Sequence, residues 1–441
     1  MARWFDRIFG FLHVGKPVTL VTDGMVITKD TTLQPGVHYL PNGIKVAAPG
    51  ITLDGNGATI VGYNREGCGV TVNGQDGVTI RNLKVRDFYH GIYASRCKQL
   101  TVTDCQITST AELAPNSIFL DIWLPVERAY GGAILLSEVE DSTISKNDFQ
   151  HQMSGILAYS CSRLTVSENV VNYASAFGIH LYNTNDSLFE ENFADYCCRW
   201  HPRGERMGYM GADAAGFLVI YGSSRNIFRR NYARLGGDGF FLAGLNPRYE
   251  FKPCNNNLFE ENDVSYSPNN GFEATFCQDN VYRKNIANFC NHGFWLGFSS
   301  GVLLEDNQMN TCYRAGLAVE NGFDFAVEAN TFANSPHGIL LWSKHIPNFA
   351  NVVPKNDTSY NWKIERNTFT RNGKAIRIAA NQDHGVRPYT PGSPLPHDHT
   401  IRANAMNDNR IGIELAGTER TMIENNTFSG NVEGDVQEQA L

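Results

Sequence analysis

A solenoid of parallel β-strands is the architecture this 441-residue sequence predicts, and two recurring phrases predict it. Asparagine followed by a small or apolar residue returns at Asn147, Asn169, Asn192, Asn231, Asn262, Asn285, Asn307, Asn330, Asn367, Asn404 and Asn426. The shortest steps are 22 and 23 residues, and longer steps mark insertions. A second anchor, usually glycine, opens a short alternating run in each unit: "GILAY", "GIHLY", "GFLVI", "GFFLA", "GFEAT", "GFWLG", "GLAVE", "GILLW", "AIRIA", "GIELA". Alternation is strand periodicity, and units of this length with Gly, Asn and Asp turns suit stacked coils.

The elements follow in order. Residues 1–17, "MARWFDRIFGFLHVGKP", place Trp4, Phe5, Ile8, Phe9, Phe11 and Leu12 at helical spacing and are expected to form an amphipathic capping helix. They lack the apolar run and small-residue cleavage site of a signal peptide, which favours the cytoplasm. Residues 18–431 are expected to be the solenoid and 432–441 a C-terminal tail. An Asn at one turn of every coil is expected to form a hydrogen-bonded ladder and to tolerate left-handed backbone there.

Bulk numbers narrow the partners. The formal charge of −8 argues against a nucleic-acid or anionic-membrane surface. Ten cysteines with no CxxC pair read as buried reduced thiols. No metal site or cofactor is expected; "PHDH", Pro396 to His399, is too weak a signal for one. Oligomeric state is left open.

"ITLDGNGATI", Ile51 to Ile60, together with the repeats, resembles the entry coil and body of the right-handed parallel β-helix proteins. These form the pectin-lyase-like superfamily, including its carbohydrate-binding and sugar-hydrolase repeats. The resemblance covers about Val18 to Asn431 and implies an all-β, single-stranded right-handed parallel β-helix. It leaves the reaction open, since relatives include hydrolases, lyases, epimerases, transferases and non-enzymatic spikes. Polygalacturonase-type hydrolases carry a fixed order of acidic and His motifs on consecutive coils. The counterparts here, "NTND" at Asn183, "GGD" ending at Asp238, "NHG" at Asn291 and "IRI" around Arg377, lack the second acid and are spaced too widely, so those roles are not transferred.

Register then nominates a surface. Residues one and three beyond each anchor are apolar and point inward, so residues two and four beyond it point outward. That outward strip carries Tyr182, Glu273, Trp295, Glu320, Trp342 and Arg377, a mixture that suits a sugar's apolar ring faces and hydroxyls. Long insertions at 112–130, 197–215, 244–255, 343–360 and 381–399 are expected to wall it into a cleft. Asp238 and Glu273 lie roughly 11 Å apart at Cα by strand geometry. That allows the carboxylate spacing of roughly 6.5–9.5 Å used in inverting glycoside hydrolysis. Glu320 and Asp213 are alternative acids, and His292 an orienting group or base. Trp295 and Trp342 are expected to stack on sugar, with Tyr182, His337 and Arg377 beside them. In "RWHPRGER", Trp200, His201, Arg203 and Glu205 are expected to contact substrate, and Arg199 to bind an acidic group. The expected function is a glycoside hydrolase acting on an oligo- or polysaccharide. The alternatives are a uronate lyase or epimerase and a non-catalytic glycan-binding or spike module.

Overall fold

The computed structural model describes residues 18–114, 117, 119–199, 201–202, 209–210, 214–380, 389 and 391–439, without side chains for 201–202 and 209–210. The expected capping helix at 1–17 lies outside the described residues. A 16-stranded sheet and a 15-stranded sheet run the length of the chain. A third face holds a four-stranded and a five-stranded sheet. Isolated parallel bridges from Gln106 through Asp148, Val170, Phe193, Tyr232, Asp263 and Ile286 to Gln308 join these two. Within the three faces every pairing is parallel, and strand order follows coil order, as a one-strand-per-face solenoid requires.

The core confirms the inward half of the alternation. Ile179, Phe217, Phe240, Phe272, Phe294, Leu317, Ile339 and Ile376, each one beyond an anchor, join one continuous hydrophobic cluster. Their rings stack along the axis, as Phe240 does on Phe217 at 4.4 Å and on Phe272 at 5.1 Å between centroids. The anchors are small because the coils touch there. A β-carbon on Gly239 would stand 2.5 Å from the Gly271 carbonyl oxygen and 2.6 Å from the Val264 β-carbon. Anchor and following residue therefore both face the core, so the residue before the anchor turns outward.

The asparagine ladder is complete from Asn147 to Asn426. At each step the side-chain oxygen of one Asn accepts from the backbone N–H and the amide of the Asn one coil before, as between Asn262 and Asn231 at 2.9 and 3.0 Å. The amide also donates to a core-strand carbonyl, as Asn262 does to Phe228 at 2.9 Å. The left-handed residue is not the Asn itself but its predecessor: Arg230, Glu261 and Lys284 have φ of 53°, 58° and 55°. Asparagine is chosen for its paired donor and acceptor, which close every turn without water. Shorter ladders the repeat reading did not isolate run through Asn226, Asn257 and Asn280 and through Asn372, Asn409 and Asn431.

The stretch read as a tail, 432–441, includes the strand Gly434–Gln439, which pairs with Ile411–Ala416 and adds another rung to the first sheet. Among the insertions, 343–360 contains the helix Pro347–Val352, whose Phe349 packs on Phe276 and Phe298. Among the described residues no helix is long and apolar enough to cross a membrane.

Replacing Asn262 by Ala strands the N–H groups of Asn231 and the carbonyl of Phe228 in the core. It is expected to lower unfolding stability by about 2–4 kcal/mol, read as a drop in urea midpoint. An unchanged midpoint would show that the ladder stabilises nothing.

Candidate functional site

The candidate site stands on the outer face of the 16-stranded sheet, where register gives three rows. Before the anchors run Asp238, Asn270, His292, Ala315, His337 and Lys374; the last five are consecutive register partners. Two beyond the anchors run Phe241, Glu273, Trp295, Ala318, Leu340, Arg377 and Glu414. Four beyond stand Glu320 and its partner Trp342. Glu273 and Glu320 therefore share a face but occupy neighbouring rows.

Asn270 is the hub of this face. Its backbone N–H donates to Asp238 Oδ1 at 2.8 Å, and its side-chain amide donates to Glu273 Oε2 at 2.6 Å. Asn269 adds a 3.4 Å contact to Asp238 Oδ2. With its amide nitrogen committed to Glu273, Asn270 presents Oδ1 to His292 Nδ1, 2.8 Å away. An oxygen there requires Nδ1 to carry the proton, which leaves the neutral ring's lone pair on Nε2. Asn291 Nδ2 stands 3.2 Å from the same nitrogen, and exchanging its amide oxygen and nitrogen would match that proton and give the buried Oδ1 a partner. His292 lies 5.0 Å from the Trp295 ring and Trp295 5.4 Å from Trp342.

The strip is off the core yet largely roofed, which corrects the expectation of an exposed aromatic platform. Trp342 is 0% exposed and packs with Ala318 and Leu340, so it cannot stack on a ligand; Trp295 is half-buried against it. Glu320 and Arg377 are each 7% exposed. Arg377 pairs with Glu414, which also accepts from Lys374 Nζ at 2.7 Å and from Gln439 at 3.2 Å. Burial, with Arg377 and Arg410 nearby, pushes the Lys374 amine down to about 8. His337 sits in the same neighbourhood, 3.3 Å from the Arg314 carbonyl.

The other nominated residues separate from this cluster. Tyr182 belongs to a stack with Tyr159 and Tyr221 on earlier coils. Arg199, expected to bind an acidic group, instead donates to the carbonyls of Ser117, Ala114 and Ser175 at 2.8, 3.0 and 3.2 Å and so pins the 112–130 loop to the solenoid. Trp200, Arg203, Glu205 and Asp213 lie outside the described residues, as does the His201 side chain. Asn270, Lys374 and Glu414 were not nominated as site residues. Glu414 stands two beyond Gly412 as Glu273 stands two beyond Gly271, so the pattern held the signal; Asn270 and Lys374 fall just before the anchors, where parity alone gives no direction.

In "PHDH", His397 contacts Asp398 at 2.7 Å, and Asp398 is clasped by Arg420, while His399 is fully buried. Among the described residues no group of three or more His, Cys, Asp or Glu is placed to hold a metal.

Comparison with known proteins agrees with the coils. A family described as "Right handed beta helix region" matches residues 49–233, and one described as "Periplasmic copper-binding protein (NosD)" matches 218–382 and 255–439. The sequence matches no curated protein at a significant level. A periplasmic alginate epimerase superposes over 90% of this chain and 85% of its own, with TM-score 0.52 and 11% identity. The A-module of an Azotobacter vinelandii mannuronan C-5 epimerase covers 94% of this chain and 91% of its own, with TM-score 0.47 and 13% identity. A Streptomyces thermodiastaticus α-1,3-glucanase covers 87% and 60%, with TM-score 0.39 and 13% identity. At these identities the likeness is one of fold.

The NosD match overturns the cytoplasmic expectation, since that family is described as periplasmic. Cysteine chemistry could not have decided the matter. The thiols of Cys105, Cys161, Cys197 and Cys312 are buried and pushed up to about 12, so packing keeps them inert in any compartment. Copper, named in that family's description, meets no group of three or more His, Cys, Asp or Glu among the described residues.

Two measurements test this geometry. Asn270→Ala removes the acceptor at His292 Nδ1, so nitrogen-15 NMR of neutral His292 is expected to move from the Nδ1–H tautomer to a mixture; an unchanged tautomer would remove Asn270 from its hub. Burial also pushes His180 and His399 down to about 3 and His90 and His337 to about 4. Below the unfolded-state value of about 6.5 the unfolded chain takes up protons that the fold refuses. Stability is therefore whole above about pH 6.5 and is lost as pH falls toward 4. His180→Leu is expected to flatten that decline by up to about 1.4 kcal/mol per pH unit, measured by urea unfolding from pH 7 to 4.5.

From the stacked coils, the unbroken asparagine ladder and the families matched along them, the chain belongs to the right-handed parallel β-helix proteins of the pectin-lyase-like superfamily.

Proposed function

We propose that this protein is a carbohydrate-active enzyme that hydrolyses a glycosidic bond with Asp238 and Glu273 as paired carboxylates. The observation that carries the reading is the chain Asp238–Asn270–Glu273, two acids on adjacent coils bridged by one asparagine. Glu273, half-buried between Phe241 and Trp295 in its row, donates the proton to the leaving oxygen. Asp238, whose oxygens accept N–H groups of Asn270 and Asn269, activates water. Trp295 supplies the apolar contact to the ring.

The tautomer of His292 favours a second reading. A neutral imidazole with its lone pair on Nε2 is a base for the proton beside a sugar carboxylate, the step that begins uronate elimination or epimerisation. The proton moves to Nε2 and the electron pair to the carboxylate; elimination then expels the glycosidic oxygen, while epimerisation returns a proton to the opposite face. Similarity in fold to alginate epimerases is consistent with this chemistry without selecting it.

Mannuronate and α-1,3-glucose oligosaccharides, assayed for new reducing ends and for ultraviolet-absorbing unsaturated ends, separate the readings. Hydrolysis gives the first alone, elimination gives both, and epimerisation shows only in the sugar's proton spectrum. Glu273→Gln and Asp238→Asn are each expected to cut hydrolytic turnover by about 10²–10⁴-fold with binding retained. Full turnover in both variants would end the paired-carboxylate reading, and binding without turnover in the unaltered protein would make it a glycan-binding module.

A further inference from the structure

A second cleft opens on the same face, on the coils leading up to the Asp238 strand. It measures about 650 Å³ and lies between the 112–130 insertion and the 244–255 insertion. The first insertion is a built wall: Leu120 and Ile122 are buried with Phe177, Leu218 and Phe241, and Arg199 ties its backbone down. Tyr182 and Tyr221, stacked at 4.3 Å with 15° between their planes, line the cleft along with Trp123. Tyr182 pairs with Ile220 and Ile220 with Ala243, the last residue of the Asp238 strand. The cleft therefore begins two coils, about 10 Å, from that strand, within reach of neighbouring units of one glycan.

Its charges are unevenly committed. Glu250 Oε2 accepts from Asn246 at 2.7 Å, and Asp121 Oδ1 accepts the Trp123 N–H at 3.0 Å, so both acids are engaged within their own loops. Arg128 and Arg248 line the cleft from opposite insertions, and among the described residues neither enters an ion pair. That separates them from the arginines that close cross-coil pairs elsewhere, such as Arg163 with Asp141, Arg225 with Asp186 and Arg420 with Asp398. Two uncommitted planar guanidinium groups facing one aromatic-lined space match a carboxylate carried on a sugar ring.

We propose that this cleft is a glycan subsite, distinct from the Asp238–Glu273 cluster, that holds a carboxylate-bearing sugar unit through Arg128 and Arg248. The inference rests on the carbohydrate reading but on neither catalytic acid. The unit it holds does not react; its binding energy positions the next bonds of the chain over Glu273.

Calorimetric titration of the full chain with a mannuronate hexasaccharide and with an α-1,3-glucose hexasaccharide tests it. The mannuronate oligomer is expected to bind the more tightly, and Arg128→Ala with Arg248→Ala to weaken it at least tenfold while leaving thermal unfolding in place. Lysine at both positions is expected to recover part of that loss, because charge returns without the fork. Equal affinity in the unaltered and double-alanine proteins, no preference over the neutral oligomer, or no mannuronate binding would each overturn the subsite. Arginine-dependent binding without acid-dependent turnover would sink the catalytic reading alone, and the converse would sink the subsite alone.

Discussion

The close approach of successive coils at the glycine anchors is the constraint on which the molecule depends. Where Gly239 meets the Gly271 carbonyl there is no room for a β-carbon, and the asparagine ladder locks the opposite turn of each coil into the same spacing. Neither interaction is strong alone, since a single hydrogen bond nets only about 1 kcal/mol. Repetition makes slippage costly, because a shift of one residue would bring β-carbons into the glycine row and leave the ladder's amides unpaired together. Register is thereby fixed over the whole solenoid, and a position counted from the anchor becomes a place in space.

Addresses of this kind explain what was legible in the sequence. Glycine and asparagine spacing revealed the coils, and alternation placed Glu273, Trp295, Glu320 and Trp342 on one outer face. What alternation could not reveal was the roof. Trp342 has the same parity as Tyr182, yet one is fully buried and the other half-exposed. Nor could it orient the residue before the anchor, since glycine and its successor both turn inward. Asn270 was therefore invisible as the group joining Asp238, Glu273 and His292, although it neighbours every one of them in the final register.

The exterior also divides by how charge is used. On the 15-stranded sheet, arginines pair with acids one coil away, as Arg229 with Glu190 and Arg283 with Glu260, and Arg402 with Glu365. Exposed pairs of this kind contribute only about 0–1 kcal/mol each. Opposite them, on the first sheet, Glu414 is paired with Arg377 and Lys374, while two other acids meet an asparagine. Glu273 and Asp238 accept N–H groups of Asn270.

That difference bears on where chemistry can occur in a scaffold whose fold admits many reactions. An amide that donates to a carboxylate fixes where its oxygens stand. The amide also transmits orientation: because Asn270 gives its nitrogen to Glu273, it must give its oxygen to His292, so the acid's position and the imidazole's tautomer are set by one side chain. Changing the protonation of Glu273 would weaken the bond that orients Asn270 and, through it, the donor required of His292. The acid and the imidazole are thus joined through Asn270, so that removing Glu273 releases the amide that orients His292.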